Sequence, residues 1–401
     1  MFNSLKFKVI LFGFIFTFFS SFGQSYFLGL FNSSIREALS ITHGQFGSIY
    51  ASATLCSSLL LIWVGKKIDD VNIFKFAFFV TVLLSFACFF FSRITSVFLL
   101  FVAIFLMRFS GQGMMSHTAS TTISRYFTRT RGKALSISWF GLSSAEFIMP
   151  VLMVYLLTII DWQNLWLIFS ITVLIVLPIA SFLLIKNLNL DSREANDENI
   201  KEVEIKQWKR IEVIKDYRFY IISSNMLAMP WIFTGFAVFQ SFVQTSKGWG
   251  PYVIAQSFMS YSIFSVLTLF LSGFLIDKFT SRKLLIYMNI PLLLSVIVLF
   301  FFDTPVTAFV FLGLVGISNG FANILGSSTW AELYGVKYLG SIKALTTALM
   351  VFATAFGTAL FGYLIDIGFT VDDIAVVSGT YIFVSLILLF FVRKKLNPVI
   401  I

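Results

Sequence analysis

Twelve stretches of this chain are apolar over roughly the 20 residues that an α-helix needs to cross a bilayer. They lie near 9–31, 43–64, 74–92, 96–124, 133–158, 164–186, 217–244, 250–274, 283–302, 306–331, 343–365 and 373–392. Hydrocarbon offers no water to a free amide or carbonyl, so a spanning segment must close its own hydrogen bonds, as a helix does. Of the 401 residues, 58% are hydrophobic and 12% charged, against about 25% charged in a soluble domain. The reading is an all-α integral membrane protein with twelve transmembrane helices and little chain left for a separate soluble domain. Cys56 and Cys88 sit in apolar runs without metal-ligand or redox spacing and read as buried free thiols.

The remaining charges sort by side. With both termini in the cytoplasm, 25 of the 29 lysines and arginines fall on the inner side; Arg36, Arg93 and Lys247 fall outside, and Arg108 lies within a span. The positive-inside rule therefore sets both termini in the cytoplasm. The net charge of +10 reads as topology, and no nucleic-acid partner is expected. The first span follows Lys6 and Lys8 and could pass for a cleaved signal with SSFG as its exit, but it stays apolar past Gln24 to Phe31 and reads as retained. The 51 phenylalanines and Ile/Lys/Asn-rich loops suggest an AT-rich bacterial genome, hence a multi-pass protein of the bacterial cytoplasmic (inner) membrane.

The two halves echo each other at one offset. Gly65 and Asp69 of GKKIDD match Gly273 and Asp277 of GFLIDK, and Tyr126 and Gly132 match Tyr334 and Gly340, each pair 208 residues apart. Two six-helix pseudo-repeats follow, residues 1–186 and 217–401, and such repeats mark transporters whose site lies near the midplane. Between them, 187–216 reads as a cytoplasmic linker, with Ile200, Val203, Trp208, Ile211 and Ile214 on about one face of an amphipathic helix on the inner leaflet.

The G-x-x-x-D signal after the second span, repeated after the eighth, resembles the loop motif of the major facilitator superfamily. The resemblance covers essentially the whole chain: twelve spans, a long central loop, and arginine followed by glycines in the fourth span. The second copy of the loop motif is the fuller, with Gly273, Asp277, Lys278, Arg282 and Lys283; the first has Asp70 where a basic residue is usual. In the fourth span Gly111 and Gly113 follow Arg108 by three and five residues, where the family usually has four and six. RYFTRTRGKALSIS is similar to the monocarboxylate and oxalate/formate branch. The resemblance implies two bundles working by alternating access.

Charge inside a span costs at least about 2.5–3.5 kcal/mol unless it meets a partner or a wet cavity, so Arg108 and Glu146 need a reason. Arg108 stands about 12 residues into the descending fourth span, roughly 18 Å deep, and Glu146 reaches a similar depth in the rising fifth. They read as a pair, or as a pair split by substrate, with a structural ion pair as the competing account. His117, nine residues after Arg108, would lie about 180° round an α-helix from it, near the inner end of the span, where packing competes with proton relay. Position 316, the counterpart of Arg108, is a glycine; that half offers Asn319 and Asn323, with Gly313, Gly316 and Gly320 for close helix approach. Gln24, Tyr26, Gln240, Gln256 and Tyr261 complete the candidate substrate contacts. Asp69, at the end of the second span, would cap the eleventh near Lys343; Asp277 would cap the fifth beside Arg131 and Lys133. With Gly65, Gly273 and Arg282, these form an expected cytoplasmic gate.

Neither His43 nor His117 has metal-ligand spacing, and there is no phosphate-binding G-x-x-x-x-G-K-[ST] loop. The chain reads as no enzyme, without cofactor, and as a monomeric proton-coupled secondary transporter of a small organic anion, a monocarboxylate. Arg108 would hold the anion, with Glu146 and His117 the candidate proton carriers. Efflux of amphipathic compounds and a transporter-like receptor that moves nothing are the alternative readings.

Overall fold

The computed structural model describes residues 4–68, 70–127, 130–186 and 206–398, apart from the side chains of Arg131, Asp277 and Ser327. These residues form helices and turns, with no strand among them. Among the described residues twelve helices are long and apolar enough to cross a membrane: Leu5–Gly29, His43–Ile68, Ile73–Phe91, Val97–Tyr126, Gly132–Leu156, Trp162–Ile185, Tyr217–Val238, Val253–Ile276, Ser281–Phe301, Pro305–Tyr334, Leu339–Asp366 and Val371–Lys395. They are called spans 1 to 12 below. Span 7 stops earlier than the apolar run predicts because Phe239 leaves helical geometry, and a short helix, Gln240–Ser246, continues the run. Side chains such as Phe98, Phe274 and Phe391 are 72–75% exposed, as lipid-facing residues are. The chain divides into two compact units, Met1–Asn199 and Ile200–Ile401.

Lipid tails are as apolar as leucine, so spans associate through close packing and hydrogen bonds rather than through hydrophobic burial. In the first unit, Gly141 of span 5 lies so close to the Phe14 carbonyl of span 1 that a Cβ would overlap it. Beside it the Thr17 hydroxyl donates to the Ser138 carbonyl at 2.5 Å. Spans 3 and 6 are joined by Ser85 and Ser170, each hydroxyl donating to the other's carbonyl at 2.9 and 2.8 Å. In the second unit, a Cβ at Gly316 would overlap the Tyr261 carbonyl, and one at Gly320 would meet Thr268 Cβ at 2.6 Å. Spans 8 and 10 therefore lie backbone against backbone.

Two expectations are corrected here. Cys88 is buried, but Cys56 is exposed on the outward side of its helix. Ile200 and Val203 of the linker lie outside the described residues, and among its described residues only Arg210–Lys215 is helical. Trp208 precedes that helix and packs against Tyr334 at 5.4 Å; its amide donates to the Tyr334 carbonyl at 3.0 Å. Val213 is buried while Ile211 is 68% exposed, so Trp208 and Ile211 do not share one amphipathic face. The indole buries more surface against the end of the second unit than it would on a helix lying alone.

Candidate functional site

Two irregular segments of the first unit meet at membrane depth. Span 1 is interrupted: an α-helix to Ser20 gives way to a 3-10 turn, Ser21–Gly23, then Gln24 in extended geometry, then a short helix, Ser25–Gly29. Span 4 runs as α-helix to Met107, then as π-helix over Arg108–Met115, a form that recurs at functional sites. The two cross at Gly23 and Gly111, where a Cβ on either residue would come within 3.0 Å of the other's backbone. The short helix is pinned from behind: Phe22 stacks on Phe169 at 4.9 Å, and Phe27 and Phe31 approach Trp166 at 5.7 and 5.1 Å.

Arg108 is 4% exposed and reaches into this crossing. Its Nη1 donates to the Gly23 carbonyl at 3.1 Å and to Ser25 Oγ at 3.2 Å. The guanidinium lies 5.4 Å from the centroid of the Tyr50 ring, and the Tyr50 hydroxyl donates to Ser25 Oγ at 3.0 Å. The Gly23 carbonyl is available because the Phe27 amide, which a continuous helix would turn to it, donates to the Gln24 carbonyl at 3.2 Å. Arg108 Nε is buried and has no hydrogen-bond partner among the described residues. One edge of the guanidinium is thus fixed by the protein while a donor on another side is unmet.

Glu146 is 8% exposed and makes no hydrogen bond or ion pair with any described residue. The expected direct pairing with Arg108 does not form: no nitrogen–oxygen distance between the two is within 4.0 Å. Arg108 turns instead to the carbonyl and hydroxyl of the broken span, which compensate a cation without a counter-charge. Tyr26 is buried, within electrostatic reach of Glu146, and Gln24 is half-buried at the break itself.

His117 lies elsewhere. Its Nε2 is 3.0 Å from the Gly65 carbonyl, at the far end of span 2 from Tyr50 and about 22 Å along that helix. Arg125, also on span 4, donates to the Ile68 carbonyl at 3.1 Å. Both basic residues cap the carbonyl end of span 2. The α-helical angle between Arg108 and His117 does not apply across a π segment; what separates them is depth.

In the second unit three of the five candidate polar residues, Gln240, Tyr261 and Asn319, are engaged in that unit's own packing. Gln240 Nε2 donates to the Ala237 carbonyl at 3.0 Å, beside an apolar cavity of about 20 Å³ lined by Phe236, Phe258 and Phe311 among others. Such a space holds about one water. Tyr261 is buried and stacks on Phe233 at 4.8 Å, and Asn319 donates to Ser265 Oγ at 2.9 Å. Gln256 and Asn323 are exposed.

Of the expected gate, Asp69 lies outside the described residues, as do the side chains of Asp277 and Arg131. Lys133 and Lys343 are exposed. A Cβ at Gly273 would meet nothing within 4 Å among the described residues, and one at Gly65 would only touch the His117 ring at 3.4 Å. Arg282 pairs with Glu332 at 2.9 Å, and Glu332 also accepts from the Ser281 amide at 2.9 Å and the Ser281 hydroxyl. At the other end, Lys247 is buried and contacts Asp303 at 2.6 Å and Asp372 at 2.7 Å. Burial lowers the Lys247 pKa, but hydrogen bonds to Asp303 and Asp372 outweigh that and hold it above the ordinary lysine value. Sequence reasoning missed Ser25, Tyr50, Glu332 and this cluster. SSFGQS, a polar run with a glycine inside an apolar span, is the signal that marks the break.

Residues 13–255 match the sequence profile of the Major Facilitator Superfamily. A search of curated proteins finds no significant relative. Among solved structures, the chain is similar to a bacterial homolog of the human lysosomal transporter Spinster, in an inward-facing and unoccupied conformation, with TM-score 0.74, 13% identity and 98% of each chain covered. It is also similar to the nucleoside transporter NupG, with TM-score 0.70, 14% identity and 98% of each chain covered. Neither is described as a carboxylate carrier, so these likenesses support the fold and not the monocarboxylate branch. With the matched profile spanning more than half its length, the chain belongs to the Major Facilitator Superfamily.

Proposed function

We propose that this chain is a secondary transporter of a small organic anion, a monocarboxylate, coupled to protons and working by alternating access with both termini in the cytoplasm. The observation that carries the reading is Arg108: a cation at membrane depth, held on one edge by a broken helix, with Nε buried and unmet. A guanidinium stays charged and presents a planar fork that matches a carboxylate, which a lysine ammonium does not reproduce. Glu146, buried without a counter-charge, is suited to bind and release the coupling proton. His117 bonds at the end of span 2, which favours a role in holding that end rather than in proton transfer. Asp69 and Asp277 are proposed, on the family resemblance, to brace the cytoplasmic closure.

Ligand-induced stabilisation of the purified protein tests the reading, since a ligand that binds only the folded state raises its apparent stability by mass action. The panel comprises carboxylates, sugars, amino acids, nucleosides and amphipathic drugs. A carboxylate should raise the melting temperature of the wild type and lose that effect in Arg108→Lys. Stabilisation by neutral compounds alone, equal in the two proteins, would remove the anion assignment.

A further inference from the structure

The proposed transport leaves one charged surface of the second unit unexplained. Residues 206–218 and the C-terminal tail, here Arg393 onward with the last turn of span 12, meet at one end of that unit. Arg218 Nη1 donates to the carbonyls of Lys395 at 3.3 Å and Asn397 at 2.9 Å. Val213 of the short helix and Leu396 of the tail are buried in one apolar cluster. Around this joint Lys209, Arg210, Lys215, Arg393, Lys394 and Lys395 are all exposed. The acids between them are already engaged, Asp216 with Arg218 at 2.7 Å and Glu212 with Lys206 at 2.9 Å. The Lys209 amide and the Lys206 ammonium hold the Glu212 carboxyl below its usual range. None of the six exposed bases makes an ion pair among the described residues.

Apolar side chains adjoin these charges. Ile211 is 68% exposed, Tyr217 51%, Tyr220 56% and Phe391 74%, and the Arg393 guanidinium sits 3.8 Å from the Phe390 ring centroid. Bases next to outward aromatic and aliphatic groups suit the depth at which acyl chains give way to headgroups. An acidic soluble protein would match the charges but leave Ile211 and Phe391 unexplained. We propose that this surface binds the phosphate headgroups of anionic phospholipids, anchoring residues 206–218 and the C-terminal tail to the leaflet on that side. The proposal is independent of the transported substrate.

The test is titration of phosphatidylglycerol into the full-length protein in neutral-lipid micelles, read as the shift in melting temperature. The wild type should be stabilised by phosphatidylglycerol and not by phosphatidylcholine or inorganic phosphate. Each basic residue near an anionic surface adds appreciably to attraction, so Arg393→Gln, Lys394→Gln, Lys395→Gln should weaken apparent affinity about tenfold or more. Lys209→Gln, Arg210→Gln, Lys215→Gln should do the same, and it carries the test if the tail triple melts lower without lipid. Arg93→Gln, exposed at the end of span 3 on the side that the charge pattern sets outside, should change it by no more than about twofold. Equal loss in that control, equal stabilisation by inorganic phosphate, or wild-type affinity in both the tail and linker triples would overturn the proposal.

Discussion

Arg108 in the first unit and Gly316 in the second are equivalent by the 208-residue offset, and the surroundings of the two positions differ as much as the residues do. Around Arg108 span 4 opens into a π-helix, and span 1 breaks where the guanidinium reaches it. The stretch from Gly316 to Asn323 is regular α-helix pressed against span 8, and span 7 continues as α-helix through Pro230. A regular helix uses its own carbonyls; Pro230 frees only that of Met226, and position 316 carries no cation to use it. Charge and interruption therefore go together in the first unit, and the second unit has neither at that position. Its charged contacts lie at its ends, in the Lys247 cluster on one side and the Arg282–Glu332 pair on the other. On the proposed function, the first unit binds and titrates while the second holds its shape.

Five substitutions test this contrast. The largest effect is expected from Glu146→Gln in proteoliposomes: proton-driven accumulation should fall to the passive level while substrate exchange across the membrane survives. Accumulation persisting in that variant would move proton coupling elsewhere. Next come the two glycine crossings. Gly23→Ala and Gly316→Ala should each cost about 1–3 kcal/mol through overpacking, read as a lower melting temperature, but only Gly23→Ala should also weaken substrate binding. Equal losses of affinity would mean that the second unit shares the site.

Lys247→Met should cost about 1–2 kcal/mol, because it removes charged hydrogen bonds from two carboxylates that can return to water. Affinity should be unchanged. Smallest is Glu332→Gln: its pair with Arg282 is partly solvated, so about 0.5–1 kcal/mol is expected, again without change in affinity. A large transport defect in either variant would show that the ends of the second unit do more than stiffen it.

The span count was legible in the sequence because apolar run length is fixed by bilayer thickness, and the 208-residue repeat is what raised the expectation of two bundles. Arg108 and Glu146 stood out because charge is rare at their depth. Their relation was not legible: the sequence gives depth along a helix but not rotation, and a π segment changes the angle on which the His117 argument relied. Tyr50 and Ser25 carry no charge, so nothing in composition separates them from the many other hydroxyls in spans. Gln240, Tyr261 and Asn319 looked like cavity residues for the same reason, and each is taken up by contacts inside its own unit.

The central claim, that Arg108 holds substrate rather than a structural partner, is tested most directly by a double-mutant cycle on Arg108→Gln and Glu146→Gln, reading carboxylate affinity and melting temperature together. A buried pair that loses one member leaves an uncompensated charge and is destabilised by about 3–5 kcal/mol. No such rescue pattern is expected here. Arg108→Gln should abolish carboxylate binding with a melting temperature near wild type, and adding Glu146→Gln should restore nothing. Low stability in both single variants, with stability and affinity recovered in the double, would contradict it.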